Sequence, residues 1–176
     1  LNIHKQITAE EAKIAGLRNQ TGAGGFAQLA ARQAKIAAIK APFYFFPFVS
    51  ENDTADGYYF THDIFCDYQI YSAPIFKLML PLLEKLEVKA LYRSKINLYP
   101  STKKILEHGQ HVDTKTFKCK AFILSLNTCD GFTRIGKATK IPSIENQGIF
   151  FDSNRPHNST TCTDDNVRLN ININYF

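Results

Sequence analysis

The segment Arg168–Tyr175 reads RLNININY, and its strict alternation of polar and apolar residues decides the fold class. Successive side chains of a β-strand point to opposite faces of the sheet, so this segment predicts a strand with one polar and one apolar face. The segment Lys95–Tyr99, KINLY, repeats the pattern and places Lys95, Asn97 and Tyr99 on one face. Such a polar face either meets solvent or lines a pocket while the apolar side chains pack outward against helices.

Further runs of aromatic and β-branched residues, separated by turn-rich segments, predict more strands from residue 43 onward. The predicted strands are Phe43–Val49, Tyr58–Phe60, Val88–Tyr99, Phe117–Leu126, Gly148–Asp152 and Arg168–Tyr175. Apolar residues at i, i+3 and i+4 spacing over Ile75–Leu86 predict an amphipathic helix that Ser72 caps and that can break at Pro81. Its Met and Leu side chains are expected to belong to the core.

Two further helices are predicted before the first strand. Thr8–Glu11 is a capping-box pattern, so a helix should run from Ala9 to near Asn19. A glycine-rich break follows, and Phe26–Lys40 is rich in good helix formers. We therefore expect an N-terminal helical extension over residues 1–40 and a mainly β domain over residues 41–176. Helices first and strands afterwards indicate an α+β arrangement or a helix-buttressed β-sandwich or barrel.

Composition bounds the class of protein. The 176 residues are 44% hydrophobic and 21% charged, which excludes a disordered, collagen-like or coiled-coil chain. The longest uncharged apolar run, Ala41–Val49, is far shorter than the roughly 20 residues that cross a bilayer. Residues Leu1–Glu11 lack the apolar core of a secretory signal, and the four cysteines form no CxxC pair. We therefore expect a cytoplasmic protein with reduced thiols and no membrane span.

The charge of the chain gives a weaker indication. A net charge of +5 mildly favours anionic ligands. The lysines fall in short clusters such as Lys103–Lys104, which are more typical of a solvated face than of a nucleic-acid groove. The distribution of charge therefore argues against a nucleic-acid partner.

A candidate metal site lies between the two patterned strands. His111 and Asp113 are two positions apart, so on an extended strand both side chains point to one face. The only later histidine, His157, follows after enough chain for returning strands to bring it opposite this pair. Two histidines and one carboxylate leave open coordination positions, as expected of a non-haem Fe(II) oxygenase, whereas a structural zinc site needs four closed ligands. His108 is expected in a loop.

An ordered series of motifs extends over Leu91–Phe176. Its members are Leu98–Pro100, His111–Asp113, Leu124–Asn127, Gly131–Ile135, Gly148–Phe151, Arg155–His157 and Arg168–Phe176. In this order they resemble the Fe(II)- and 2-oxoglutarate-dependent dioxygenases, and among these the prolyl hydroxylases, including the oxygen-sensing branch. Asp130 and Ser125 depart from the family's pattern, and neither position is one that binds iron in the family.

The resemblance implies a double-stranded β-helix, or jelly roll, with N-terminal and supporting helices. It further implies that His111, Asp113 and His157 hold Fe(II), and that Arg168 and Tyr99 bind the distal carboxylate of 2-oxoglutarate. Asn97 and Asn172, on the polar faces of the same two strands, are further candidates for binding this co-substrate. The implied reactants are thus iron, 2-oxoglutarate and O2.

The implied reaction is hydroxylation of an unactivated C–H bond with release of succinate and CO2. By the same resemblance the substrate is a prolyl residue of a protein or peptide. Two alternatives remain: a jelly-roll binding module without catalysis, and a nucleic-acid-modifying oxygenase. Asn174 stands where nucleic-acid demethylases of the superfamily carry a second arginine, which disfavours the latter, and retention of Asp113 argues against the halogenating relatives.

Overall fold

The computed structural model describes residues 8, 9, 11, 12, 33, 35, 37–51, 53 and 57–176. Of the helix predicted from Ala9 to near Asn19, residues 9, 11 and 12 are described and are helical, and the remainder lies outside the described residues, as does the glycine-rich break. Of the helix predicted over Phe26–Lys40, residues 33, 35 and 37–40 are described and are helical. The described strands are β1 Tyr44–Phe46, β2 Tyr59–Cys66, β3 Gln69–Ile70, β4 Leu91–Pro100, β5 Lys120–Ser125, β6 Cys129–Ile135, β7 Thr139–Ser143, β8 Gly148–Asp152, β9 His157–Ser159 and β10 Val167–Tyr175. Helix α1 spans Ala73–Lys85.

The strands form two antiparallel sheets. The larger has seven strands in the order β1-β2-β4-β10-β5-β8, with β3 pairing β2, and the smaller has the order β7-β6-β9. Strands β1 to β5 all lie in the large sheet, and from β5 onward the chain passes repeatedly between the sheets, with β6, β7 and β9 in the small sheet and β8 and β10 in the large one, as in a double-stranded β-helix. The predicted fold class, mainly β with a jelly-roll core, is confirmed. The division into residues 1–40 and 41–176 stays a prediction.

The two strands with alternating polarity lie side by side at the centre of the large sheet. Their antiparallel register sets Arg168 opposite Tyr99 and Asn172 opposite Lys95. Side chains directly opposite each other in a sheet share one face. The polar faces of β4 and β10 therefore form one continuous polar surface, and it faces the interior of the β-helix, since β10 is buried on both faces.

The apolar face of β10 packs outward on the helical layer, as predicted. Leu169, Ile171 and Ile173 belong to one buried cluster with residues of α1 and with Ala38 from the helical residues 37–40. The α1 members of this cluster are Ile75, Met79 and Leu83. Met79 and Leu83 are core residues, as predicted, with Leu82 and Leu86 packed against them, and they support the strand that carries the polar pocket face.

Helix α1 differs from its prediction at two residues. Pro81 lies inside a continuous helix and does not break it, because it is on the exposed face while the opposite face is held in the core. A carbonyl freed by a proline on that face can meet water. Ser72 occupies the N-cap position, but its side chain makes no capping hydrogen bond.

Several strands differ in extent from the sequence prediction. Strand β2 continues to Cys66, and β3, β6, β7 and β9 were not predicted as strands. A register shift between Cys129 and Phe132 interrupts the pairing of β6 with β7. Strand β6 alternates in burial, but its sequence, CDGFTRI, does not alternate in polarity, since Phe132 shares the less buried face with Asp130 and Arg134. Within the described part of the chain, no helix has both the length and the apolar character of a membrane span.

Candidate active site

His111 and His157 come together through their main chains. The N–H of each residue donates to the carbonyl of the other at 2.9 Å, and their ring centroids are 4.5 Å apart. The expected extended strand over His111–Asp113 is not formed: His111 makes an isolated bridge, and Asp113 lies in a bend whose N–H donates to the Ser153 carbonyl at 2.9 Å. The bend nonetheless brings the Asp113 carboxylate back towards the two rings.

His111, Asp113 and His157, called the triad below, are spaced to hold one metal ion. One potential ligand atom from each lies within 4.8 Å of the others, and His157 Nε2 is 3.8 Å from Asp113 Oδ1. The other ring nitrogen of His157, Nδ1, is 3.0 Å from the Arg155 carbonyl. Because a carbonyl only accepts, Nδ1 donates to it, so Nε2, on the side of Asp113, is the ring nitrogen available to a metal ion.

The Asp113 carboxylate is held by three side chains. Asn174 Nδ2 donates to Oδ2 at 2.9 Å, while Arg93 Nη2 and Asn172 Nδ2 donate to Oδ1 at 3.1 and 3.4 Å. Burial raises the pKa of Asp113, but the charges of His157 and Arg93 and the Asn174 hydrogen bond outweigh it and leave the pKa below its ordinary value. The carboxylate is therefore ionised and fixed in orientation.

His111 is held in its metal-binding protonation state. Burial, followed by the charge of His157, lowers the pKa of His111 to about 4. The imidazole is thus neutral near pH 7, and a neutral ring is required of a metal ligand. No thiol joins the triad among the described residues, so the donor set is two imidazoles and one carboxylate with other positions left open. This set fits Fe(II) and does not fit a closed structural zinc site.

The triad opens on a small polar cavity of about 40 Å³. Both strands with alternating polarity contribute to its wall, together with β2 and β9. Beside the triad, polar residues that line the cavity are Tyr59, Lys95, Asn97, Tyr99, Asn158 and Asn172. The polar face therefore lines a pocket and does not meet bulk solvent.

Arg168 is a buried cation next to this cavity. Arg168 is only 1% exposed. Its Nη2 donates to Thr133 Oγ1 at 2.7 Å, and its Nη1 donates to the Thr160 carbonyl at 3.3 Å. Nε is buried without a partner, and no described carboxylate lies within salt-bridge distance. Burial lowers the pKa of Arg168, which shows that its charge is desolvated. A buried charge without a counter-charge is costly, and a carboxylate ligand would relieve that cost.

Tyr99 lies between Arg168 and the cavity. Its ring stacks on Tyr59 with centroids 5.7 Å apart and a 16° interplanar angle, and Arg168 Cζ lies 5.4 Å from its centre. Burial raises the pKa of Tyr99, so its hydroxyl stays protonated and can donate.

His108 lies on a loop, as expected, but is buried against Tyr99 and contacts Ser159.

The two predicted asparagines have different surroundings. Asn97 Nδ2 donates to Asn170 Oδ1 at 2.9 Å, and its own Oδ1 is buried without a partner. Asn172 directs its amide nitrogen to Asp113, so it holds a triad residue instead of facing only a co-substrate.

Arg93 was not predicted to belong to the site. It stands two residues before Lys95, in the same alternating phase as Lys95, Asn97 and Tyr99, so the alternation of the sequence could have placed it on the polar face.

Comparisons with known proteins identify the fold. No family model and no curated protein matches the sequence. An oxidoreductase of the 2OG-Fe(II) oxygenase family from Burkholderia pseudomallei superposes with a TM-score of 0.61 at 15% identity, covering 94% of this chain and 90% of that one. A prolyl hydroxylase from Trichoplax adhaerens, in complex with a peptide fragment of the hypoxia inducible factor oxygen degradation domain, has a TM-score of 0.51 at 15% identity, with coverages of 89% and 94%.

A third solved structure has the same fold. The DMSP lyase from Ruegeria pomeroyi superposes with a TM-score of 0.52 at 13% identity, covering 93% of this chain and 71% of that one. The resemblance expected from the sequence, to 2-oxoglutarate oxygenases and prolyl hydroxylases, is thus confirmed at the level of the fold. Because one fold hosts several chemistries, the reaction has to be argued from the side chains.

Proposed function

We propose that the chain is an Fe(II)- and 2-oxoglutarate-dependent oxygenase that hydroxylates an unactivated C–H bond and releases succinate and CO2. One observation carries the proposal: a triad suited to iron lines a cavity, and a buried arginine without a counter-charge lies directly behind two residues of the cavity wall, Tyr99 and Thr133. The first feature alone would suit many metal proteins. The second would be satisfied by a ligand whose carboxylate reaches inward from the metal.

The triad would hold Fe(II) through one imidazole nitrogen of His111, Nε2 of His157 and the Asp113 carboxylate. Bound iron supplies the activation of O2 that couples oxidation of 2-oxoglutarate to oxidation of the substrate. Asn174 and Arg93 keep the carboxylate ionised and aimed at the two rings. The protein thereby fixes three ligands and leaves the remaining positions for 2-oxoglutarate and O2.

The co-substrate site lies between β4 and β10. Arg168 would bind the distal carboxylate of 2-oxoglutarate, since a guanidinium stays charged when buried and matches the geometry of a carboxylate. The Tyr99 hydroxyl would donate a second hydrogen bond, and Asn97 lines the cavity between this end and the metal. Thr133 and Thr160 hold the guanidinium in place before the ligand arrives. The stacked Tyr59 and Tyr99 rings exclude water from this end.

For the substrate we propose a prolyl residue of a protein or peptide. Support comes from the Trichoplax adhaerens prolyl hydroxylase, which shares the fold and was solved with a peptide. We also propose that residues 41–176 form the oxygenase domain, with 1–40 as its N-terminal extension, and that the protein acts in the cytoplasm. The free state of the four cysteines supports a reducing compartment.

The proposal is tested by titrating Fe(II)-loaded protein with 2-oxoglutarate without oxygen. Chelation of iron by the keto acid gives a weak visible charge-transfer band, which should appear in the wild type and be absent in His111→Ala. The matched control is His62→Gln, because His62 is also buried but bonds the Pro42 carbonyl away from the triad. The control should retain the band. No band in the wild type would overturn the proposal and favour a jelly-roll binding module.

A further inference from the structure

Lys95 is a second cation in the cavity, partly buried, and the proposed chemistry gives it no role. It lines the cavity together with the triad. On β4 it stands directly opposite Asn172, whose amide touches Asp113. Lys95 therefore lies at the level of the metal site, whereas Arg168 lies opposite Tyr99 at the other end of the polar face.

The ammonium of Lys95 has a hydroxyl partner but no carboxylate partner. Its Nζ donates to the Tyr59 hydroxyl at 3.2 Å and lies 5.3 Å from the centre of the Tyr59 ring. Among the described residues no carboxylate comes within salt-bridge distance of it. The neighbouring cation on the same face, Arg93, differs in this respect because it is paired with Asp113.

The electrostatics agree with this geometry. Burial, followed by the charge of Arg93, lowers the pKa of Lys95 to about 8, although Asp113 and Asp63 act in the opposite direction. The charge of Lys95 also contributes to lowering the pKa of His111, which places it within electrostatic range of the triad. A desolvated ammonium lacking a counter-charge is relieved by an anion.

2-Oxoglutarate does not account for this cation. In the proposed arrangement one carboxylate of 2-oxoglutarate meets Arg168 and the keto-acid end meets the metal. Both of its charged ends are then neutralised, and Lys95 still faces the cavity beside the triad. Asp63, directly opposite on β2, and Asp113 favour the charge of Lys95 without forming an ion pair with it, so an anionic group of another molecule bound next to the metal would supply the missing partner.

We propose that Lys95 and the Tyr59 hydroxyl form an anion subsite beside the triad, and that the molecule oxidised there carries a carboxylate close to the oxidised carbon. This inference rests on the proposed function and narrows its substrate class. A peptide with an acidic side chain next to the modified residue satisfies it, as does a small organic acid. The Tyr59 hydroxyl donates one hydrogen bond to the carboxylate, and Lys95 supplies the charge.

The test uses acetate and acetamide, which have the same shape and differ in charge. Each is titrated at constant ionic strength, without oxygen, into protein saturated with Fe(II) and 2-oxoglutarate, and the charge-transfer band is followed. Acetate should shift the band of the wild type at a concentration about tenfold or more below that of acetamide, as expected of a hydrogen bond between charged groups. Lys95→Met should abolish this preference, and Lys95→Arg should retain it.

The remaining outcomes separate this subsite from the oxygenase assignment. Equal responses to acetate in the wild type and Lys95→Met, or no response in the wild type, would overturn the subsite alone. If acetate abolishes the band instead of shifting it, acetate displaces 2-oxoglutarate from the metal. If Lys95→Met binds 2-oxoglutarate tenfold more weakly than the wild type, Lys95 contributes to the co-substrate site. Either result overturns the inference. Absence of the band in wild type before any acetate is added would refute the oxygenase itself.

Discussion

The guanidinium carbon of Arg168 lies 5.4 Å from the centre of the Tyr99 ring, and the register of β10 with β4 sets these two residues directly opposite each other. The ring partly compensates the buried charge, since a cation over an aromatic face is stabilised. It does not satisfy the guanidinium, whose Nε has no partner. We propose that the pair binds a carboxylate, with the charge from one strand and the hydroxyl from the other.

Replacing Arg168 by methionine should weaken 2-oxoglutarate binding without removing the metal site. Hydrogen bonds between charged groups contribute about 1.5–3 kcal/mol, so we expect the affinity to fall by about tenfold to a hundredfold. The measurement is titration of the charge-transfer band. Unchanged affinity for 2-oxoglutarate would contradict the role given to Arg168.

Arg168→Met should not destabilise the ligand-free protein. Replacing a buried charge that has no counter-charge by an apolar side chain of similar length is often neutral or stabilising. We therefore expect the melting temperature of ligand-free Arg168→Met to equal or exceed that of the wild type. A large drop in melting temperature would show that Arg168 stabilises the fold and is not an unpaired charge that a ligand neutralises.

The asparagines that contact Asp113 should contribute to metal affinity in the order of their hydrogen-bond lengths. Loss of a side chain that orients a metal ligand typically costs about 10- to 100-fold in affinity. Asn174→Leu should fall in this range, because its amide donates at 2.9 Å, and Asn172→Leu should cost less, because its contact is 3.4 Å. Metal affinity is measured by competition with a chromogenic chelator. The reverse order would contradict the account.

Gly131 should be required for the position of Arg168. A Cβ at Gly131 would lie 2.7 Å from Arg168 Cδ and 2.7 Å from the Thr161 carbonyl oxygen, so Gly131→Ala should displace the guanidinium. We expect lower 2-oxoglutarate affinity together with a destabilisation of about 1–3 kcal/mol. Gly148→Ala is the matched control, since its Cβ would meet the Phe122 ring. It should lower stability and leave 2-oxoglutarate affinity unchanged; equal losses of affinity would refute the assignment.

The metal-free protein should lose stability as the pH falls from 6.5 to about 4. His111 has a folded-state pKa of about 4, below its ordinary 6.5, so in this window the unfolded chain binds more protons than the folded one. The free energy of unfolding therefore decreases as the pH decreases. Urea denaturation between pH 7.5 and 4.5 measures the slope. His111→Asn should flatten it, and an unchanged slope in that variant would contradict the assignment of the proton to His111.

The polar faces of β4 and β10 could be predicted because alternation with a period of two is a local property of the sequence. The convergence of His111, Asp113 and His157 was also predicted, from residue spacing and from a resemblance. The local structure assumed for it was wrong, because Asp113 lies in a bend and not on an extended strand. The bend is fixed by the Ser153 carbonyl, which is distant in sequence. Residue spacing alone could not show this contact.

The strands of the small sheet and the contacts of Arg93 were not predicted. The residues of β6, CDGFTRI, do not alternate in polarity although they alternate in burial, and β9 has only three residues, so neither strand has a sequence pattern that predicts it. Arg93 is in phase with Lys95, but its pairing with Asp113 depends on how β4 lies against the loop of the triad. Likewise, the sequence does not show whether a carboxylate lies beside Lys95, because that depends on how the strands around the cavity pack.

The most direct test of the central claim is the formation of succinate from 2-oxoglutarate. Purified protein is incubated with Fe(II), 2-oxoglutarate and ascorbate in air, and succinate is quantified by mass spectrometry against the same protein without oxygen. The account predicts slow succinate formation that needs both iron and oxygen and is lost in His111→Ala. Succinate formation no faster than in the oxygen-free control, with iron demonstrably bound, would contradict the assignment of this jelly roll as an oxygenase.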